Sequence, residues 1–173
     1  MHLFLSGCHG VGKTTVVNNL KVDKPLLKYI DVDMLPFTGT GFKQQQTRYD
    51  IMYGILKTMP QQFNTIVDRS PFDFYVYNAI VCEDTQEMNV LNQQFLDLLG
   101  AYNSIGGFTI LITDTWEHVW DRIQNRSRDG LEEMNEEFSK RVWNHFNRII
   151  NTFPDIIPKR FEEVDDYIHS LFI

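Results

Sequence analysis

The chain has 173 residues and 43% of them are hydrophobic, which is enough to bury one core of ordinary domain size. Its formal net charge of −7 argues against a general basic surface for nucleic acid or anionic lipid. The two cysteines have no metal-ligand spacing, so we expect free thiols. No apolar run is long enough to span a membrane, and no basic leader precedes the first apolar run. We therefore expect one cytoplasmic domain.

The first half of the chain alternates between two patterns. Short apolar runs are typical of buried strands, and longer runs with apolar residues three or four apart are typical of helices. In chain order the patterns predict a strand at 2–6, a helix from Lys13, a strand within 24–33, a loop over 36–46, a helix over 47–59, a strand at 64–70 and a helix over 71–82.

The second half continues this alternation. It predicts a helix over 86–100 that ends at Gly100, a strand at 108–115, a helix over 116–126, a turn at Asp129 and Gly130, a helix over 131–153, a short strand at 160–164 and a C-terminal helix. Strands that alternate with helices predict an α/β fold, with a parallel sheet of about five strands and helices on both faces. No linker or repeat is visible, so we expect a single domain over residues 1–173.

The most specific motif begins at Gly7, directly after the first predicted strand. The run Gly-Cys-His-Gly-Val-Gly-Lys-Thr matches GxxxxGK[ST], the phosphate-binding loop or P-loop. Its glycines let backbone N–H groups point into one concavity, the lysine adds a positive charge, and the threonine hydroxyl is placed to bind Mg²⁺. A glycine-rich turn that matches by chance is the alternative. We expect the three-layer fold of P-loop NTPases, with Mg²⁺ on Thr14 and a nucleoside triphosphate on Gly7, His9, Gly10, Val11, Gly12, Lys13, Thr14 and Thr15.

The strand predicted at 64–70 ends in Asp68 and Arg69. A P-loop ATPase usually has a glutamate here, which polarises water, and a GTPase has a guanine-reading Asn-Lys-x-Asp, which this sequence lacks. Arginine is not a base but binds anions, often through two hydrogen bonds. Because ligands of open α/β sheets lie beyond the carboxyl ends of the strands, this pair favours transfer to a second substrate over hydrolysis. A structural salt bridge at the sheet end is the alternative.

Three arginines, Arg122, Arg126 and Arg128, follow the strand at 108–115. The first two are four residues apart and share a helix face. Acids lie nearby, so a solvated surface is one interpretation. The other is a lid over about 122–133 that brings the arginines onto a transferring phosphoryl group and excludes water from it.

Three motifs, in this order and spacing, resemble those of P-loop deoxynucleoside kinases and thymidylate kinases: the loop at 7–14, Asp68-Arg69-Ser70, and Arg122-x-x-x-Arg126-x-Arg128. The resemblance covers most of residues 1–150. It implies ATP with Mg²⁺, a lid whose arginines bind the ATP phosphates, and Arg69 on the phosphate or sugar end of the acceptor. The sequence departs from thymidylate kinases at His9, where they usually have an acid, and at "DVDMLP", where they often have Glu-Pro.

Several side chains are candidates for binding the acceptor. Asp33 follows the second strand and can accept the proton of an attacking hydroxyl, and Asp31 is the alternative at that strand end. Asp68 is a second candidate, either as the base or as a ligand of Mg²⁺-bound water. The glutamines at 44–46 and Arg48 can read a base edge or contact phosphate. The predicted substrate-binding residues are Asp33, Phe37, Phe42, Arg48, Arg69, Phe72 and Tyr75, the aromatic ones by stacking on a base, with ordinary core packing as their alternative.

These features predict an ATP-dependent phosphotransferase that acts on a nucleoside or nucleotide, with a deoxynucleoside monophosphate such as thymidylate as the first acceptor to consider. Two alternatives remain open. One is a kinase for a hydroxyl in a polynucleotide or a modified DNA base, which the net charge mildly disfavours; the other is an ATP-binding regulatory module or ATPase without an acceptor. A homodimer is also considered. The predicted catalytic residues are Lys13, Asp33, Asp68, Arg69, Arg122, Arg126 and Arg128.

Overall fold

The computed structural model describes residues 1–32, 41–59, 64–125 and 135–172. None of the helices in these ranges is both long enough and apolar enough to cross a bilayer. The elements, in chain order, are β1 (His2–Ser6), α1 (Lys13–Asp23), β2 (Lys28–Asp31), α2 (Gly41–Thr58), β3 (Thr65–Asp68), α3 (Pro71–Val81), α4 (Thr85–Ser104), β4 (Gly107–Thr113), α5 (Trp116–Asn125), α6 (Glu136–Thr152), β5 (Ile156–Arg160) and α7 (Phe161–Leu171).

The five strands form one parallel sheet in the order β2-β3-β1-β4-β5. The central strand β1 is buried along its whole length, as its apolar sequence predicts, and the helices flank the sheet. After β1 the chain crosses to β2 and β3 on one side and then to β4 and β5 on the other. The carboxyl end of β1 is therefore a topological switch point, where open α/β sheets form their ligand crevice. The predicted α/β fold is confirmed.

Three details of the predicted elements are wrong. Residues 41–46 are helical rather than loop, because glutamine is a good helix former and α2 begins at Gly41 against the carbonyl of Val81. Gly100 does not end α4, since Ala101 and Tyr102 continue its buried face. The last strand is Ile156–Arg160, paired with β4, so 161–164 is the start of α7.

Candidate functional site

The P-loop leaves β1 and enters α1, as its motif requires. Gly10 and Gly12 have φ values of +78° and +104°, a region that side chains disfavour. A Cβ on Gly12 would lie 2.3 Å from the Phe161 ring, and one on Gly10 would lie 2.6 Å from the Val119 carbonyl. These two positions therefore require glycine for backbone conformation and for close packing alike, which gives the loop its concave path.

Lys13 is the buried cation of this loop. Its Nζ donates hydrogen bonds to the carbonyls of Gly7, at 2.6 Å, and Cys8, at 3.0 Å. Burial, with a smaller contribution from the positive charge of Arg69, lowers the pKa of Lys13 to about 8. An anion in the loop would relieve both effects. Thr14, the next residue, is exposed at the start of α1, so its hydroxyl is accessible to a ligand.

A buried polar network holds the turn between β3 and α3. The Oδ2 atom of Asp73 accepts from the Ser70 backbone N–H at 2.9 Å, from the Ser70 hydroxyl at 3.0 Å and from the Ser6 hydroxyl at 2.7 Å. All three residues are fully buried. The Ser70 hydroxyl also accepts from the Phe72 N–H, so Ser70 and Asp73 form a capping box that begins α3. The Ser6 bond ties this turn to the end of β1.

Arg69 lies in that turn with a φ of +100°, unusual for a residue with a side chain. Its Nη1 lies 3.5 Å from Asp73 Oδ1, and its backbone N–H donates to the Leu5 carbonyl at 2.9 Å. Burial disfavours the charged guanidinium, but the carboxylates of Asp73 and Asp68 keep the pKa of Arg69 above its ordinary value. The network therefore holds a permanent cation at the carboxyl end of β3.

Asp68 completes the group, because it pairs in the sheet with Leu5 and precedes Arg69. Burial raises the pKa of its carboxyl, while the charges of Lys13 and Arg69 oppose that rise. Within the described residues its Oδ1 atom has no hydrogen-bond partner. The structure thus brings Lys13, Asp68 and Arg69 together at the switch point.

Of the predicted lid, the structure describes Arg122. Its guanidinium pairs with Asp114 at 2.7 Å, lies 4.5 Å from the centre of the Phe161 ring, and reaches the carbonyls of Gly10 and Val11 at 3.4 Å. It therefore lies beside the P-loop. The other predicted lid arginines, and two predicted acceptor residues, lie outside the described residues: Arg126, Arg128, Asp33 and Phe37.

Phe72 and Tyr75, two aromatic residues predicted to bind the acceptor, pack against neighbouring aromatic rings. The Phe72 side chain is only 4% exposed, and both rings contact Phe95 and Phe153 at centroid distances between 4.9 and 6.3 Å. Phe72 is part of the buried core, and Tyr75 is partly buried against it. Core packing, the alternative considered from sequence, accounts for these ring contacts.

Two other predicted residues, Arg48 and His9, both contact Tyr77 of α3. The guanidinium of Arg48, on α2, lies 4.8 Å from the centre of the Tyr77 ring. The His9 ring of the P-loop contacts the same tyrosine at 6.1 Å. Phe42 is half-buried against the core. Tyr77 therefore links the P-loop to α2.

Two further amides are buried, Gln45 on α2 and Asn78 on α3. Gln45 is 0% exposed and Asn78 1% exposed, and none of their four side-chain polar atoms has a hydrogen-bond partner among the described residues. Gln45 was a sequence candidate, but Asn78 and Asp73 were not. The available signal was that two polar residues interrupt the otherwise apolar and aromatic α3. Buried polar groups without partners are rare, and a ligand is one explanation for them.

This combination of a parallel sheet and a P-loop after its central strand defines an α/β P-loop fold. No protein-family model and no curated protein matches the sequence. Solved structures do match: a deoxyadenosine kinase from M. mycoides with products dCMP and dCDP bound has 16% identity and a TM-score of 0.76, covering 99% of this chain and 98% of that chain. The same kinase with bound dATP has 18% identity and a TM-score of 0.71, covering 99% of both chains.

The thymidylate kinase of Candida albicans has 15% identity and a TM-score of 0.66, covering 98% of this chain and 89% of that chain. The protein therefore has the fold of the P-loop deoxynucleoside and nucleotide kinases, over nearly its whole length. The resemblance inferred from its three motifs is confirmed at the level of the fold.

Proposed function

We propose that the protein is an ATP-dependent phosphotransferase that acts on a nucleoside or nucleotide. The observation that carries the proposal is the convergence of Lys13, Asp68 and Arg69 at the switch point of a P-loop kinase fold. A cation in the loop suits the phosphates of a donor, and a second cation at the neighbouring strand end suits an acceptor. A water-polarising glutamate in place of Arg69 would instead have favoured hydrolysis.

The donor side has the groups that ATP and Mg²⁺ need. Lys13 and the loop N–H groups would hold the phosphates. The accessible Thr14 hydroxyl and Asp68 Oδ1, which has no hydrogen-bond partner among the described residues, are the hard oxygen donors that Mg²⁺ prefers. When bound, Mg²⁺ supplies charge neutralisation on the phosphates. The Arg122 guanidinium lies beside the loop, within reach of the Gly10 and Val11 carbonyls, and would contact the same phosphates.

The acceptor side has groups that suit a nucleobase. Buried Gln45 and Asn78 each present a donor and an acceptor with no partner among the described residues. A base edge with adjacent acceptor and donor atoms, such as O4 and N3–H of thymine, would satisfy such an amide. A purely apolar or phosphate ligand would leave these polar atoms unpaired at a cost.

The packing of α2 on α3 supports one shared site for the two amides. A Cβ on Gly41 would lie 2.3 Å from the Val81 carbonyl, and the Tyr49 and Phe74 rings are 6.3 Å apart. The helices therefore pass each other in opposite directions, with the start of α2 beside the end of α3. Positions 45 and 78 fall between these two contacts, at the same level.

Within this class we propose a deoxynucleoside monophosphate of thymidylate type as the first acceptor. Two guanidinium groups, those of Arg69 and the buried Arg48, lie on the acceptor side, which suits a substrate that already carries phosphate. The acceptor oxygen attacks the γ-phosphorus, the bond to the bridging oxygen breaks, and ADP leaves. A phosphate oxygen needs no base; with a hydroxyl acceptor, Asp68 would take the proton, and its raised pKa suits that role.

A transfer screen tests the proposal. The chain is incubated with γ-labelled ATP, Mg²⁺ and, in separate reactions, nucleosides, nucleoside monophosphates and oligonucleotides. We expect label in a deoxynucleoside diphosphate. Label in an oligonucleotide would favour the polynucleotide alternative, and ATP hydrolysis that no acceptor stimulates would favour an ATPase.

Two variants assign the roles. Lys13→Ala should abolish transfer, whereas Lys21→Ala, an exposed lysine on the same helix, should not. Arg69→Ala should lower the acceptor kcat/KM roughly 10- to 100-fold while the Kd for ATP stays within about threefold. Equal losses of ATP binding and acceptor turnover would show that Arg69 is structural instead.

A further inference from the structure

Asp114 is a partly buried acid with several partners at the carboxyl end of β4. Its side chain is 8% exposed, and its Oδ2 pairs with Arg122 Nη2 at 2.7 Å. Its Oδ1 accepts from the Thr115 N–H at 2.8 Å and contacts His118 Nδ1 at 3.0 Å. Its backbone carbonyl accepts from the Trp143 indole N–H at 3.0 Å. Main chain and side chain are thus anchored independently, so the carboxylate has one orientation.

Arg122 is directed toward the P-loop from this anchor. Its guanidinium reaches the Gly10 and Val11 carbonyls at 3.4 Å and lies 4.5 Å from the centre of the Phe161 ring. The same ring covers Gly12. The arginine is therefore held between a carboxylate on one side and an aromatic face on another, with the phosphate loop in front of it.

We propose that Asp114 is the positioning residue that holds Arg122 over the phosphate loop, ready to contact the phosphates of the donor. The proposal rests on the proposed function. A long arginine side chain loses rotamer freedom when it binds a ligand, and a fixed partner removes that cost before binding. The Arg122 side chain is 31% exposed, and an ion pair at that exposure contributes little to stability, so the pair matters chiefly through geometry.

A double-mutant cycle on MgATP binding tests this. Asp114→Asn keeps the size and loses the charge, and it should raise the Kd and KM for MgATP about tenfold with little change in kcat. Arg122→Met should raise them at least as much. In the Arg122→Met background, Asp114→Asn should have no further effect, because its only route of action has been removed.

The matched control is His118→Gln, which alters the contact to the other Asp114 oxygen and should leave the KM for MgATP unchanged. Binding is followed without acceptor by intrinsic tryptophan fluorescence, to which Trp143, bonded to the Asp114 carbonyl, contributes. Additive effects, or an unchanged KM in Asp114→Asn, would overturn the positioning role.

If Asp114→Asn does not fold, Asp114→Glu takes its place in the double-mutant cycle, because it displaces the carboxylate while keeping its charge. Its effects on the Kd and KM for MgATP are interpreted in the same way. Failure of the unaltered chain to bind MgATP would instead overturn the proposed function. Binding by the unaltered chain together with additive losses would overturn only the role of Asp114.

Discussion

At the scale of single residues, the buried ammonium of Lys13 makes nucleotide binding depend on pH. Its pKa is about 8 in the free protein, and a bound triphosphate would raise it toward the ordinary lysine value. Between the two values binding takes up a proton. The affinity for MgATP should therefore be level below pH 8 and fall above it, by up to about tenfold per pH unit.

Calorimetry in buffers of different ionisation enthalpy measures that proton uptake. Lys21→Gln, on the exposed side of α1, should keep the dependence, and an affinity that rises above pH 8 would contradict the assignment.

The stability of the ligand-free protein should change with pH in the opposite direction to its affinity for MgATP. The unfolded chain binds the lysine proton up to about pH 10.5 and the folded chain only to about 8, so this group makes unfolding harder as pH rises between those values.

The buried amides of Gln45 and Asn78 predict a conflict between stability and function. Gln45→Met removes two buried polar atoms that have no hydrogen-bond partner in the described part of the chain, and it keeps the volume, so the free energy of unfolding should rise by about 1–3 kcal/mol. The same change should raise the acceptor KM, because the base edge loses its partner. Chemical denaturation and acceptor kinetics measure the two effects.

Gln46→Met is the matched control for that change. Gln46 lies next in the chain but already bonds Gln94 at 3.0 Å, so its substitution should bring no gain in stability. If Gln45→Met lowered stability while acceptor turnover stayed normal, the amide would be a structural group rather than a reader of the base.

At the scale of elements, the glycines of the two longest helices differ in their surroundings. A Cβ at Gly100 in α4, or at Gly54 in α2, would meet no heavy atom within 4 Å. Gly54→Ala and Gly100→Ala should therefore each add about 0.5–1 kcal/mol to the free energy of unfolding. Gly41→Ala should lower it, because the Cβ would press on the Val81 carbonyl. Thermal unfolding of the three variants checks the signs, and equal effects at all three would contradict the packing of α2 on α3.

At the scale of the whole molecule, a ligand at the switch point stabilises the entire sheet. The P-loop follows β1, Asp68 ends β3, and Arg122 lies on the helix after β4. Because these are the three central strands of the sheet, a ligand bound to these residues should oppose global unfolding. MgATP at 100 times its Kd should add about 2.7 kcal/mol, which for a chain of this length raises the Tm by roughly 5–10 °C. Lys13→Ala should lose this shift, and a shift of the same size in that variant would mean that ATP binds elsewhere.

The fold and the position of the P-loop within it were largely predictable from the sequence. The P-loop is a run of consecutive backbone groups, so its motif specifies the geometry locally, and Asp68 with Arg69 follows directly from the end of an apolar strand. The surroundings of the candidate acceptor residues were less predictable. The aromatic pattern suggested Phe72 and Tyr75, but which face of α3 meets the core depends on how α3 crosses α4, and no local pattern encodes that crossing.

The sequence alone determined the alternation of strands and helices, the phosphate loop and the cation at the neighbouring strand end, because each depends on residues adjacent in the chain. The tertiary structure decided which distant groups meet, namely Ser6 with Asp73 and Arg122 with the P-loop. The physical reason is that burial and hydrogen-bond satisfaction depend on where separate elements cross, and that position is set by the packing of the whole core.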